Sequence, residues 1–215
     1  MRFASVTGLL LLCSTMSLAD ITFTLGNHPQ PGETNILLNS GQTGNTVTGT
    51  PTGFPGVVVN FTSVQTLLEP SNGQARVSAS PEGTPLTDLA IALANNLTYQ
   101  DLIINPFIGG QCPACTGGAS TITVTAVDSH GNVEAPFVFT GLNIGNGSNF
   151  LTIVASGGES ILSTSIDVPG GINDVRQPRI SGPFAPIPEP SVGLLLATGM
   201  IGIALIQRKR SQPAK

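Results

Sequence analysis

The stretch TITVTAVDSHGNVEAPFVF, residues 121–139, decides the fold class. Two runs rich in Val, Ile, Thr and Phe flank the polar segment DSHGN. Alternation with a period of two places successive side chains on opposite faces of a strand. A Gly or Asn between two such runs permits the positive φ angle of a tight turn. The stretch therefore predicts a β-hairpin in which Gly131 or Asn132 has a positive φ angle.

Similar runs recur along the chain and are separated by Gly, Pro and Asn, which is typical of an all-β, β-sandwich-like single domain. We predict eight to ten strands. Residues 26–56 are rich in Gly, Thr, Asn and Pro and predict a region dominated by loops. The runs comprise residues 21–25, 57–68, 120–127, 134–142, 149–156, 160–168 and 172–180.

Residues 84–96 are compatible with two structures. Thr84 and Pro85 could begin a helix, since Thr is a common N-cap and Pro is common in the first turn. Leu89, Ile91 and Leu93 instead alternate with Ala, and the segment ends in Asn-Asn. We favour a strand.

The two ends of the chain have the composition of targeting segments. Residues 1–19 contain Arg2, an apolar run and the small residues of Ser17-Leu18-Ala19, which together predict a secretory signal peptide cleaved between Ala19 and Asp20. The expected organisation is therefore an exported domain over residues 20–182, followed by a linker over residues 183–187.

The charge of the body argues against one class of ligand. Residues 20–187 contain no Lys, three Arg and eleven Asp or Glu, which gives a formal charge of −8. Proteins that bind nucleic acids use many Lys and Arg contacts to phosphate. We therefore do not expect a nucleic acid as partner.

A second apolar segment lies near the C-terminus. Residues 191–207 are uncharged, and as a helix they would span about 25 Å, slightly less than the hydrocarbon core of a bilayer. Arg208, Lys209 and Arg210 follow at once, and a basic cluster beside an apolar segment stays in the cytoplasm. A single transmembrane helix with an exported domain and a cytoplasmic tail is predicted.

Pro188, Glu189 and Pro190 precede this helix and would keep the backbone extended and accessible. The tripeptide, the apolar run and the basic end together resemble the PEP-CTERM sorting signal of Gram-negative bacteria, over residues 188–215. The resemblance implies recognition and removal of the tail by an exosortase, a membrane transpeptidase. It also implies transient residence in the inner membrane, delivery to the cell surface or matrix, and association with exopolysaccharide and biofilm. An ordinary C-terminal anchor is the alternative.

Cys112 and Cys115 form a Cys-x-x-Cys pair between glycines. An oxidising exterior favours a local disulfide, while a redox-active pair and a metal site are alternatives. His28 and His130 could share a metal ion, and the turn residues Asp128, Ser129 and Asn132 could offer oxygen ligands to calcium. We favour an ordinary turn and expect no metal and no cofactor.

The sequence contains no nucleophile, zinc-protease or phosphate-loop motif. Asp88 and Asp101 are carboxylates that a glycosidase could pair, although nothing in the sequence joins them. The body has no Trp and only Tyr99 for stacking on sugars. We therefore expect no enzyme and predict a structural or adhesive protein. A non-catalytic polysaccharide-binding module and an exported hydrolase are the alternatives.

Overall fold

The computed structural model describes residues 20–71, 75–182 and 184. The predicted signal peptide, the sorting motif, the helix over residues 191–207 and the basic end therefore lie outside the described residues, as does almost all of the linker. Within the described part, no helix is long and apolar enough to cross a membrane.

The described residues form thirteen β-strands and one short 3₁₀ turn, Ala94–Asn96. The strands are β1 (Asp20–Leu25), β2 (Thr34–Leu37), β3 (Thr43–Pro51), β4 (Val59–Leu68), β5 (Arg76–Ala79), β6 (Leu86–Leu93), β7 (Asp101–Ile108), β8 (Gly118–Val127), β9 (Phe137–Ile144), β10 (Gly147–Ser148), β11 (Leu151–Ser156), β12 (Ser160–Ile172) and β13 (Asp174–Ser181).

The strands pair along one path, in the order β1-β11-β7-β13-β2-β3-β4-β6-β12-β8-β9. β10 pairs with β7, and β5 pairs with both β13 and β4. All of these pairings are antiparallel. β13 therefore holds a central position, with β7 on one side and both β2 and β5 on the other.

One apolar core joins the strands. Alternate residues of β4, β6 and β8 are buried, including Phe61, Ile91 and Ile122. The rings of Phe23 on β1 and Phe139 on β9 lie 5.3 Å apart between centroids, so the two end strands of the path come together beside this core. The prediction of a single all-β domain is confirmed.

Several local predictions are confirmed. β8 and β9 form the predicted hairpin, and Gly131 has the positive φ angle, at 82°. Residues 86–93 form a strand and not a helix. Asn95 and Asn96 then adopt φ angles of 58° and 53°, which the left-handed region allows for Asn.

The prediction of a loop-dominated segment over residues 26–56 is wrong for β2 and β3. The Thr residues of β3 supply β-branched side chains at alternating positions, so the strand forms despite its two glycines. β5 and β7 were not predicted. β7 is buried along almost its whole length, and a strand that is buried on both faces lacks the alternation that sequence analysis detects.

Candidate functional site

The candidate site lies where β13 changes its neighbour. Asp174, Val175 and Arg176 pair with β5, whereas Arg179 and Ile180 pair with β2. The register against β7 shifts between Arg176 and Arg179. Gln177 has a φ angle of 49° at this irregularity, and Pro178 follows. Pro lacks an N–H group and is therefore suited to a break in a strand ladder.

A groove of about 760 Å³ opens beside this irregularity. Its lining combines two guanidinium groups with three side-chain amides and one aromatic ring. The lining residues are Ala75, Arg76, Phe107, Gly110, Gln111, Asn173, Arg176 and Gln177.

The carboxylate of Asp174 anchors both arginines. Arg176 donates to its two oxygens over 2.6 and 3.0 Å, and Arg76 donates to Oδ2 over 3.3 Å. The Asp174 side chain is only 2% exposed. Arg76 also donates to the exposed Glu82 over 2.7 Å. Two cations are thereby held at fixed positions on one side of the groove by a single buried anion.

Arg176 is also fixed by a ring. Its guanidinium carbon lies 3.5 Å from the centroid of the Phe107 ring, a cation–π geometry. Phe107 itself belongs to β7, opposite Asp174. Since the guanidinium covers the ring, the groove offers the edge and N–H groups of Arg176 to a ligand, and not an open aromatic face.

The loop between β7 and β8 contributes Gly110 and Gln111 to the lining of the groove. A disulfide joins Cys112 and Cys115 in this loop, which confirms the predicted pairing. The backbone N–H of Cys115 donates to the carbonyl of Cys112 over 3.0 Å, so the bridge closes a tight turn directly after Gln111. The loop is anchored at its end, because the backbone N–H groups of Thr116 and Gly117 donate to the carbonyls of Gly170 and Gly171 over 2.8 and 3.0 Å.

Two kinds of amide face the groove. Asn173 is immobilised, because its Oδ1 accepts the N–H of Gly109 over 2.7 Å. Gln111 and Gln177 are exposed, and within the described residues no hydrogen bond holds either side chain. The groove therefore has a fixed floor and two adjustable amides at its rim.

The other predicted site residues do not converge. The carboxylate of Asp128 accepts the N–H groups of His130 and Asn132 over 2.8 Å each, and the side-chain amide of Asn132 over the same distance. These bonds hold the pKa of Asp128 below its usual range. An Asx turn therefore accounts for these residues. The ring of His28, on another segment, lies 3.0 Å from the carbonyl of Leu25.

Among the residues described, no group of three or more His, Cys, Asp or Glu side chains could hold a metal ion.

Asp88 and Asp101 lie on strands that do not pair. Asp88, on β6, accepts the N–H of Val64 over 3.0 Å. Asp101, on β7, is 1% exposed and accepts the hydroxyl of Ser181. Burial raises the pKa of the Asp101 carboxyl to about 6, although the Ser181 hydrogen bond opposes this rise. A carboxylate buried in this way does not reach a substrate, so the arrangement gives no support to an acid pair.

Tyr99 is fully buried. Its hydroxyl donates to Thr164 over 2.9 Å, and burial raises the pKa of the phenol above its usual value. The one Tyr of the chain therefore serves the core and offers no face to a sugar.

The residues that line the groove were not predicted from the sequence. The sequence did contain one signal. Residues 20–187 have no Lys and only three arginines, so the positions of these few cations were candidates for a binding site. The pairing of Arg76 with Arg176 across β5 and β13 depends on long-range strand order, which the sequence does not encode locally.

No family model matches the chain, and no curated protein matches it. It is similar to two solved structures: a mutant of the module CBM29-2, studied for the mechanism of ligand recognition by family 29 carbohydrate-binding modules, and a family 29 carbohydrate-binding module. Both matches have 10% identity and a TM-score of 0.21 and cover 75% of this chain, with 92% and 89% of the other chains covered. A likeness at this TM-score carries no argument about the fold or ligand of this chain.

Replacing Asp174 by Ala should strongly destabilise the domain, because two guanidinium groups would lose their shared buried anion. We expect the free energy of unfolding to fall by about 3–5 kcal/mol, measured by urea denaturation. Glu82→Ala is the matched control. Glu82 is 47% exposed, so its removal should cost less than about 1 kcal/mol. Equal losses would contradict the anchoring role of Asp174.

Asp101→Asn should change how stability depends on pH. Because the pKa of Asp101 is raised to about 6 in the folded chain, folding favours its protonated form, and its contribution to stability is lost as pH rises through 6. Between pH 4 and pH 7, the free energy of unfolding of the unmodified protein should therefore fall by about 2 kcal/mol more than that of Asp101→Asn. Parallel stability curves for the two proteins would refute this.

Proposed function

We propose that this chain is an exported, non-enzymatic protein of the cell envelope or matrix, with a sandwich-like body that binds exopolysaccharide in a structural or adhesive role. The observation that carries the proposal is the groove beside β13, where two guanidinium groups and two adjustable amides lie around a rigid floor. Sugar hydroxyls both donate and accept hydrogen bonds, and such planar polar groups fix their orientation.

The electrostatics of the groove suit binding better than catalysis. Both oxygens of Asp174 accept hydrogen bonds from arginine, and Glu82 is paired with Arg76. General acid–base catalysis needs a carboxyl group that can exchange a proton with the substrate, whereas both of these carboxylates already accept hydrogen bonds from arginine. The hydrolase alternative gains no support here.

The cations also fit a ligand from the matrix. Arg176 is one-third exposed and Arg76 about one-sixth, so each retains N–H groups near the solvent while the anion lies beneath them. The groove therefore presents donors outward in a body of high negative charge. Donors in this position can bind sugar hydroxyls or the carboxylates of acidic sugars.

Delivery to the matrix is the second part of the proposal. We propose that an exosortase recognises Pro188, Glu189 and Pro190 and removes the apolar segment and the basic end.

Removing both adjustable amides should weaken binding without affecting the fold. We expect Gln111→Ala combined with Gln177→Ala to reduce affinity for polysaccharide purified from the host's own matrix about tenfold, since each hydrogen bond contributes about 0.5–1.5 kcal/mol. Co-sedimentation of the exported protein with this polysaccharide measures the change.

Asn143→Ala is the control for this experiment. Asn143 is an exposed amide on β9 and lines a different, smaller groove, so its loss should leave the affinity unchanged. Failure of the unmodified protein to bind, or equal effects of the two variants, would remove the support for the groove as a binding site.

Glu189→Ala tests the sorting route separately. In the native host, the unmodified mature protein should lack the residues from Val192 onward, whereas the variant should accumulate at full length in the membrane. Intact mass of protein from the envelope and the medium measures both. If the mature protein keeps its tail, the sorting proposal is wrong and the tail is an ordinary membrane anchor. This result would not affect the proposal that the groove binds polysaccharide.

A further inference from the structure

Glu159 is a buried carboxylate without a partner. It lies in the turn between β11 and β12 and is 2% exposed. Within the described part of the chain, neither of its side-chain oxygens has a hydrogen-bond partner. An ionised carboxylate in such a place costs several kcal/mol unless a cation or several donors compensate it.

The charged groups near Glu159 make its ionised form still less favourable, because they are also carboxylates. Burial raises the pKa of the Glu159 carboxyl, and the negative charges of Glu134, Asp128 and Asp20 raise it further. The group that opposes them is the backbone N–H of Asp20, which lies near the carboxylate without forming a regular hydrogen bond to it. The free carboxylate is therefore directed towards the first residue of β1.

The surrounding structure holds Glu159 at the end of β1. Asp20 pairs with Ser156, and the backbone N–H of Glu159 donates to the carbonyl of Ser156 over 3.1 Å. The side-chain amide of Gln100 donates to the carbonyl of Glu159 over 3.0 Å. The turn is thus fixed on both sides.

The arginines of the body are already committed. Arg76 and Arg176 bind Asp174, and Arg179 binds Glu33 over 3.1 Å. Residues 20–187 contain no Lys. Metal is an unsuitable substitute, because no three acidic, His or Cys side chains of the described residues come close enough to hold an ion.

We infer that cleavage between Ala19 and Asp20 creates an α-ammonium group that pairs with the Glu159 carboxylate and fastens β1 to the β11–β12 turn. Hydrolysis by the signal peptidase breaks the peptide bond, with water supplying the hydroxyl of the new carboxyl on Ala19 and a proton to the amine. The amine takes a second proton from solvent. The exported domain thereby acquires an ion pair that its precursor lacks.

The α-amine of Asp20 provides a direct test. At pH 7 its acylation by an amine-reactive ester, followed by peptide mass spectrometry, should be about tenfold slower in the exported protein than in Glu159→Gln. Pairing raises the pKa of the amine by a unit or more above the usual 7.7–8.0, so less of the reactive neutral form is present. Lys209 and Lys215 are the only lysines of the chain, so no lysine of the body competes.

Glu134→Gln is the matched control. Glu134 also places a negative charge near Glu159, but it is not proposed to pair with the α-ammonium group of Asp20. Its acylation rate should stay within about twofold of the unmodified protein. A normal pKa for the α-amine in the unmodified protein would overturn the inference even if Glu159→Gln fails to fold. A mature chain that does not begin at Asp20 would overturn it as well.

Melting temperatures distinguish an ion pair between Glu159 and the α-ammonium group from a general structural role of Glu159. Glu159→Gln should lower the melting temperature of the processed protein by about 4 °C or more and should not lower that of the precursor that retains residues 1–19. Equal effects in both forms would overturn the inference. A melting temperature that rises with calcium and loses this response in Glu159→Gln would assign a metal cation to the site instead.

Discussion

The ion pairs of Asp174 are the interaction on which the candidate site depends. β13 lies between β7 and β5, and its first residue places a buried carboxylate where guanidinium groups from two strands can reach it. Removing this anion from water is costly, and three hydrogen bonds from Arg76 and Arg176 offset the cost. The same bonds fix the donors that a ligand would meet. The geometry of the groove therefore rests on one buried carboxylate.

The groove lies beside β13 because that strand cannot pair regularly along its whole length. Gln177 takes a left-handed conformation and Pro178 lacks an N–H, so the ladder breaks and β13 moves from β5 to β2. An irregular strand leaves space at the surface. The disulfide-bonded loop after β7 closes one side of that space. Strand pairing, backbone conformation and the covalent bridge thus cooperate at one place.

The sequence predicted the features that depend on local patterns. Alternation identified β4, β6, β8 and β12, and the DSHGN segment identified the hairpin and the positive φ angle of Gly131. It missed β7, because a strand buried on both faces shows a continuous apolar run. It also missed the groove, because Arg76 and Arg176 are a hundred positions apart in the chain and meet only through the order of the strands. Asp101 was selected as a potential acid for its chemistry, but its burial beneath Ser181 follows from tertiary structure.

The buried carboxylates illustrate how a domain with few cations places its charges. Asp174 takes two of the three arginines. Glu69 is instead held by the backbone N–H and hydroxyl of Ser40, over 2.7 and 2.8 Å. Asp101 has one hydroxyl partner and a raised pKa. Glu159 has no arginine, hydroxyl or other hydrogen-bond partner among the described residues. It lies near Asp20, where the predicted cleavage would leave a positive charge. In a body without lysine, the ammonium group that this predicted cleavage would create is the cation that we propose compensates it.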